Sequence, residues 1–135
     1  MSIYSIINSN FNLFKKIKED TNDNGLQVIK ICNHYKIKNY EDSILKFLNK
    51  QKFDSTLFIG PNNEYWNTHL ANAILNSKYD FNLTYSTIND LVGFNKQHDV
   101  IIVYPASIIA HIGYYSTLSN YLKDDSLKLI IEIGN

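Results

Sequence analysis

The sequence has no arginine: its 13 basic side chains are all lysine. That absence removes the planar fork that grips carboxylate, phosphate and guanine through paired hydrogen bonds, and any arginine finger acting within the chain. The abundance of Asn, Lys, Ile and Tyr points to AT-rich coding, so part of the absence reflects mutational bias. Basic excess is lacking too, since the formal net charge is +0. A protein that holds nucleic acid mainly through a positive field is therefore not expected, and no direct sequence-specific nucleic-acid binding is assigned. Lys15, Lys16 and Lys18 form a local stripe, read as the solvated face of a helix.

Cysteine is almost absent. Cys32 stands alone, which excludes a disulfide within these 135 residues. Together with His34 it makes no metal-ligand spacing, so no metal and no cofactor are assigned. No apolar run reaches membrane-spanning length, and Met1 to Asp20 lacks the basic-then-apolar order of a signal peptide. The expectation is a cytoplasmic protein with no membrane partner. What remains, 44% hydrophobic residues over 135 positions, is enough for one folded domain with a real core.

Along the chain, Ser2 to Lys18 reads as a helix or an extended arm without a clean period. The cluster Thr21-Asn22-Asp23-Asn24-Gly25 is a turn or linker signal, so residues 1–24 are taken as an N-terminal arm or helix and 25–135 as the domain. Leu26 to Cys32 reads as a strand and Tyr40 to Lys50 as a helix with Ile44, Leu45 and Leu48 inward. Thr56 to Ile59 is a short apolar run ending at Gly60, which suits a buried parallel strand. A polar loop over Pro61 to Trp66 then leads to a helix facing inward with Leu70, Ala71, Ile74 and Leu75.

Phe81 to Tyr85 alternates like a strand, and Thr87 with Asp90 looks like a capping box opening a helix through Leu91 and Phe94. Val100 to Tyr104 is the clearest strand. Pro105 ends it and starts a helix carrying Ile108, Ile112, Tyr115, Leu118 and Leu122 on one side. Leu127 to Ile133 is the last strand. Strands alternating with helices give an α/β fold in three layers, a mainly parallel sheet with helices on both faces. Ligands of such sheets bind beyond the carboxyl ends of the strands, which places Gly60 to Thr68, Tyr104 to Ser107 and Asn135 on one rim.

A strand, a loop opening Gly60-Pro61 and a helix opening Thr68-His69-Leu70-Ala71 have the context of a P-loop. A working loop needs glycines, a lysine and a Ser/Thr for Mg²⁺. Here the interior is Asn62 to Asn67, with no second glycine and no lysine. Glu64 would repel a triphosphate, and Tyr65 and Trp66 would crowd the phosphate nest. If Thr68 takes the hydroxyl position, Asn67 stands where lysine should. The acidic residue that should follow Val103 is replaced by Tyr104-Pro105. ATP hydrolysis is not expected.

The run Phe53 to Gly60 with Thr68 to Ile74 resembles the Walker A region of DnaA-type AAA+ proteins, where an LFI-type strand meets a K-T-H-L helix start. Tyr85-Ser86-Thr87 is similar to that family's second strand. Asp99 to Val103 resembles the strand before Walker B, and Leu129 to Asn135 the sensor-1 strand with Asn135 at its tip. Asn39 resembles the Asn that opens the family's first helix. The resemblance implies a P-loop-like AAA+ core with degenerate Walker A and Walker B motifs. The sequence stops at the sensor-1 strand, so the C-terminal helical lid would be lacking.

Asn10-Phe11-Asn12-Leu13-Phe14 resembles a degenerate form of the Q-L-x-L-F peptide that docks on the DNA-polymerase sliding clamp in Hda-like, DnaA-related regulators. The same residues also read as the buried face of an N-terminal helix. The resemblance thus implies a non-catalytic protein acting through protein–protein contacts in replication initiation, with the sliding clamp, DnaA or both as partners. Two alternatives stand beside it. One is a DnaC-type, helicase-loader-like interaction module. The other is an unrelated α/β domain with an enzyme site on the rim built from His69, His111 or Asp99, for which no nucleophile motif or carboxylate pair is present.

Overall fold

The structure, a computed structural model, describes residues 16–21, 27–32, 40–77, 82–91, 97–109, 114–123 and 129–134. The expectations for Asn10, Phe11, Leu13, Phe14, Lys15, His34, Asn39, Phe94, His111 and Asn135 lie outside the described residues.

Six strands form one sheet: β1 (Lys16–Thr21), β2 (Gln27–Cys32), β3 (Thr56–Gly60), β4 (Leu83–Thr87), β5 (Val100–Val103) and β6 (Leu129–Gly134), in the order β1-β2-β6-β5-β3-β4. Only the β1–β2 pair is antiparallel. An α/β fold with a mainly parallel sheet is therefore what the chain adopts. Lys16 and Lys18 lie on an edge strand, not on a helix. The expected boundary after residue 24 also falls between two paired strands, because Lys16 to Thr21 run in register with Gln27 to Cys32.

The central strands are continuous apolar runs because both their faces are covered. All of β3 and β5 is buried, as is β6 up to Ile133. Alternate side chains divide the core into two. Phe58, Val100, Ile102, Leu129 and Ile131 pack with Ile44 and Leu48 of α1 (Tyr40–Gln51) and with Leu70. Leu57, Ile59, Ile101, Val103 and Ile130 pack on the other face with Ile109, Leu118 and Leu122. Connections that step towards β4 run on the first face and those that step back towards β2 on the second, as a single crossover hand requires.

Four sequence expectations give way here. The segment after Gly60 is helical from Asn63: α2 (Asn63–Tyr65) runs into a π-helical turn over Trp66–Leu70 and then α3 (Ala71–Ser77). The Asn62 side chain accepts the Tyr65 N–H at 2.8 Å, so the helix is capped eight residues before the expected Leu70 face and the loop shrinks to Pro61-Asn62. Leu75, expected inside, is 76% exposed.

Thr87 makes no side-chain cap. Ile88–Asp90 is a single 3₁₀ turn and Leu91 is already extended, so the capping box opens no α-helix there. Where a long α-helix was expected after Pro105, the described residues form a 3₁₀ turn over Ala106–Ile109 and α4 over Tyr114–Ser119. Leu122 is drawn out of the helical stripe by a parallel bridge to His98.

Candidate functional site

Counted from β3, four of the five parallel strands run β4-β3-β5-β6, the succession 2-1-3-4 seen in flavodoxin-like doubly wound sheets, and β2 lies parallel beyond β6. The chain leaves β3 towards one edge and β5 towards the other, so their carboxyl ends flank the switch-point crevice where such sheets hold ligands. A cavity of about 310 Å³ opens there. Pro61, Thr68, Tyr104 and Pro105, singled out in the sequence, do come together around it. Asn67 does not line it and is exposed on the helix.

The cavity differs from a phosphate cradle in three respects. Both strand exits are proline: Pro61 follows Gly60 and Pro105 follows Tyr104, and neither residue has an N–H to offer an anion. The helix that should begin at Thr68 begins five residues earlier. Thr68 therefore sits inside a helical turn, where its hydroxyl donates to the Glu64 carbonyl at 2.8 Å. That corrects the placing of Asn67 and Thr68 at a Walker-type helix start.

The third difference is aromatic filling. Gly60 has no room for a side chain because a Cβ there would overlap the Tyr85 ring and hydroxyl. The Tyr85 hydroxyl donates to the Asn62 carbonyl at 2.5 Å, closing the short loop from behind. Burial raises the Tyr85 phenol above its usual pKa, against the smaller effect of that hydrogen bond.

Tyr65, only 8% exposed, is the hub of the cluster. Its ring lies 5.4 Å from Tyr104, 6.0 Å from Phe58 and 5.6 Å from His69, centroid to centroid, while Trp66 meets Tyr85 at 5.4 Å. Its hydroxyl donates to Glu41 of α1 at 3.2 Å, pinning the first turns of two helices together. Five aromatic rings, Phe58, Tyr65, Trp66, Tyr85 and Tyr104, and the His69 imidazole thus pack together at this end of the sheet. The π turn lies in this stretch and adds the extra residue that lets Tyr65 and Leu70 both turn inward.

Asp99, offered as a rim residue, is at the other end of the sheet. Its carboxylate accepts the N–H groups of Asp54 (2.7 Å) and Ser55 (3.1 Å) and pairs with Lys123 at 3.4 Å, tying the amino end of β3 to that of β5. Beside it, His98 is buried and its Nδ1 is hydrogen-bonded to Ser55 Oγ at 2.8 Å. Burial lowers the His98 pKa, opposed by Asp99 and aided by Lys123.

This pair looks like a nucleophile and base, but Asp99 spends its oxygens on backbone amides and Lys123, and Ser55 is itself buried. It acts as a clasp. The sequence reading passed over His98, and it took Tyr65 only as a residue that would crowd a phosphate nest, not as a packed hub. His98 stands directly before the Asp99 that introduces β5, and Tyr65 sits three residues after a capping Asn. Among the described residues no group of three metal-ligating side chains occurs, and no helix there is long and apolar enough to cross a membrane.

No protein-family model matches the chain, and no curated protein and no solved structure matches it either.

Proposed function

We propose that the chain is a non-catalytic module that works by binding other proteins, in the regulation of replication initiation. The observation that carries the first half is the switch-point crevice. Two prolines, a two-residue loop and five packed aromatic rings stand where nucleotide chemistry needs free N–H groups, a lysine and an acid.

The second half rests on the ordered likeness of Phe53 to Gly60, Thr68 to Ile74, Asp99 to Val103 and Leu129 to Asn135 to DnaA-type AAA+ proteins. The same likeness supports reading the α/β fold as a degenerate AAA+ core, although the 2-1-3-4 strand succession is the flavodoxin-like one and singles out no P-loop. The partners on this reading are the sliding clamp, DnaA or both, with Asn10 to Phe14 as the clamp peptide.

The test is a titration of the full chain against purified sliding clamp, DnaA and replicative helicase by biolayer interferometry. Saturable binding to clamp or DnaA is expected, and Leu13→Ala with Phe14→Ala should abolish the clamp signal. Binding to helicase alone would move the assignment to the helicase-loader class, and binding to none would end the replication reading.

A further inference from the structure

The switch-point cavity has one acidic side chain, Glu64, and one imidazole, His69, on its wall. Among the described residues around it, Glu64 carries the only carboxylate and there is no lysine. The Glu64 side chain is exposed and makes no ion pair or side-chain hydrogen bond. Prolines at both strand exits remove two backbone donors. At the helix start Asn62 caps the Tyr65 N–H and Glu64 places a negative charge in the first turn. Thr68 donates its proton to the Glu64 carbonyl, which turns its oxygen lone pairs into acceptors for anything else. The Tyr65 and Tyr104 rings, tilted against each other with centroids 5.4 Å apart, both line the wall.

A carboxylate, a hydroxyl acting as acceptor and two electron-rich rings are what an alkylammonium group binds. We propose that this cavity is a binding site for a primary ammonium group, carried either by a lysine side chain of a protein partner or by a free alkylamine. The inference stands on the cavity and does not need the replication reading.

The experiment is an amide ¹H–¹⁵N titration of the full chain with four probes: Nα-acetyl-lysine amide, its neutral isostere Nα-acetyl-norleucine amide, butylammonium and pyrophosphate. Saturable shifts at Asn62 to His69 and at Tyr104 are expected with the lysine derivative and none with norleucine. Added salt should weaken them. Glu64→Gln, an exposed change that leaves the fold intact, should weaken binding about tenfold, as expected for loss of a charged hydrogen-bond partner. Tyr104→Leu should weaken it while leaving Glu64 in place.

Butylammonium binding as tightly as the lysine derivative supports a free amine as the natural ligand. Preference for the lysine derivative supports a protein side chain. Saturation by pyrophosphate at the same amides, equal binding of norleucine, or no response to Glu64→Gln would overturn the proposal.

Discussion

Gly60 and Tyr85 share one volume, and each sets the other's identity. A Cβ on Gly60 would overlap the far end of the Tyr85 ring, so any side chain there has to displace that ring. Gly60→Ala should cost about 1–3 kcal/mol, the range for overpacking a filled site. Combining it with Tyr85→Val should give a non-additive total in chemical denaturation, because the smaller side chain clears the clash.

His98 offers a test through pH. Its folded pKa is lowered by burial, whereas the unfolded chain protonates near 6.5. The unfolded state therefore binds the proton more readily, so the His98 contribution is complete above that value and fades as pH falls below it. The melting temperature of the wild type should drop more steeply between about pH 7 and pH 5 than that of His98→Gln. Parallel curves would mean that His98 titrates as in the open chain.

Glu132 is buried in β6 at 4% exposure and accepts the Tyr115 hydroxyl at 2.6 Å. Tyr115→Phe deprives a buried carboxylate of a donor and should cost about 1–3 kcal/mol.

At the scale of elements, the strands were the most legible part of the sequence, for a physical reason. β3, β5 and β6 are buried on both faces, so their residues must be apolar throughout, and Thr56 to Ile59, Val100 to Val103 and Leu129 to Ile133 say so without a neighbour's help. α1 was equally plain, since Ile44 and Leu48 face the sheet one turn apart and Lys46 and Lys50 are exposed.

The helices beyond the strands were less legible. Asn63 to Trp66 look like a loop because the helix there is fixed by a cap and a ring cluster, not by an apolar stripe. Asn62 is the signal that was present and unread, and its substitution tests the point. Asn62→Ala should cost about 1 kcal/mol and Asn62→Gly only a few tenths, the difference expected of an N-cap. The stripe from Ile108 to Leu122 misled in the opposite sense: its period is helical, but Ile109 is buried in a 3₁₀ turn and Leu122 belongs to the bridge with His98.

Over the whole molecule, the two ends of the sheet have different jobs. At the amino ends, Asp99, Ser55, His98 and Lys123 bind β3 to β5 through side-chain and backbone hydrogen bonds, among them Asp99 N–H to Ser55 carbonyl at 2.8 Å. At the carboxyl ends a crevice lies where doubly wound sheets hold ligands, with proline at both strand exits and aromatic rings packed beside it. The sequence located that rim correctly through Gly60, Pro61 and Tyr104-Pro105. It could not show that the helix starts at Asn63, and with that start goes the length of any phosphate loop.

The most direct measurement is calorimetric titration of the full chain with ATP and ADP, with and without Mg²⁺. A crevice with proline at both strand exits and without a lysine should give no saturable heat up to about millimolar nucleotide, where binding free energy is only about 4 kcal/mol. Saturable Mg-dependent binding in the micromolar range would contradict a crevice closed to nucleotide.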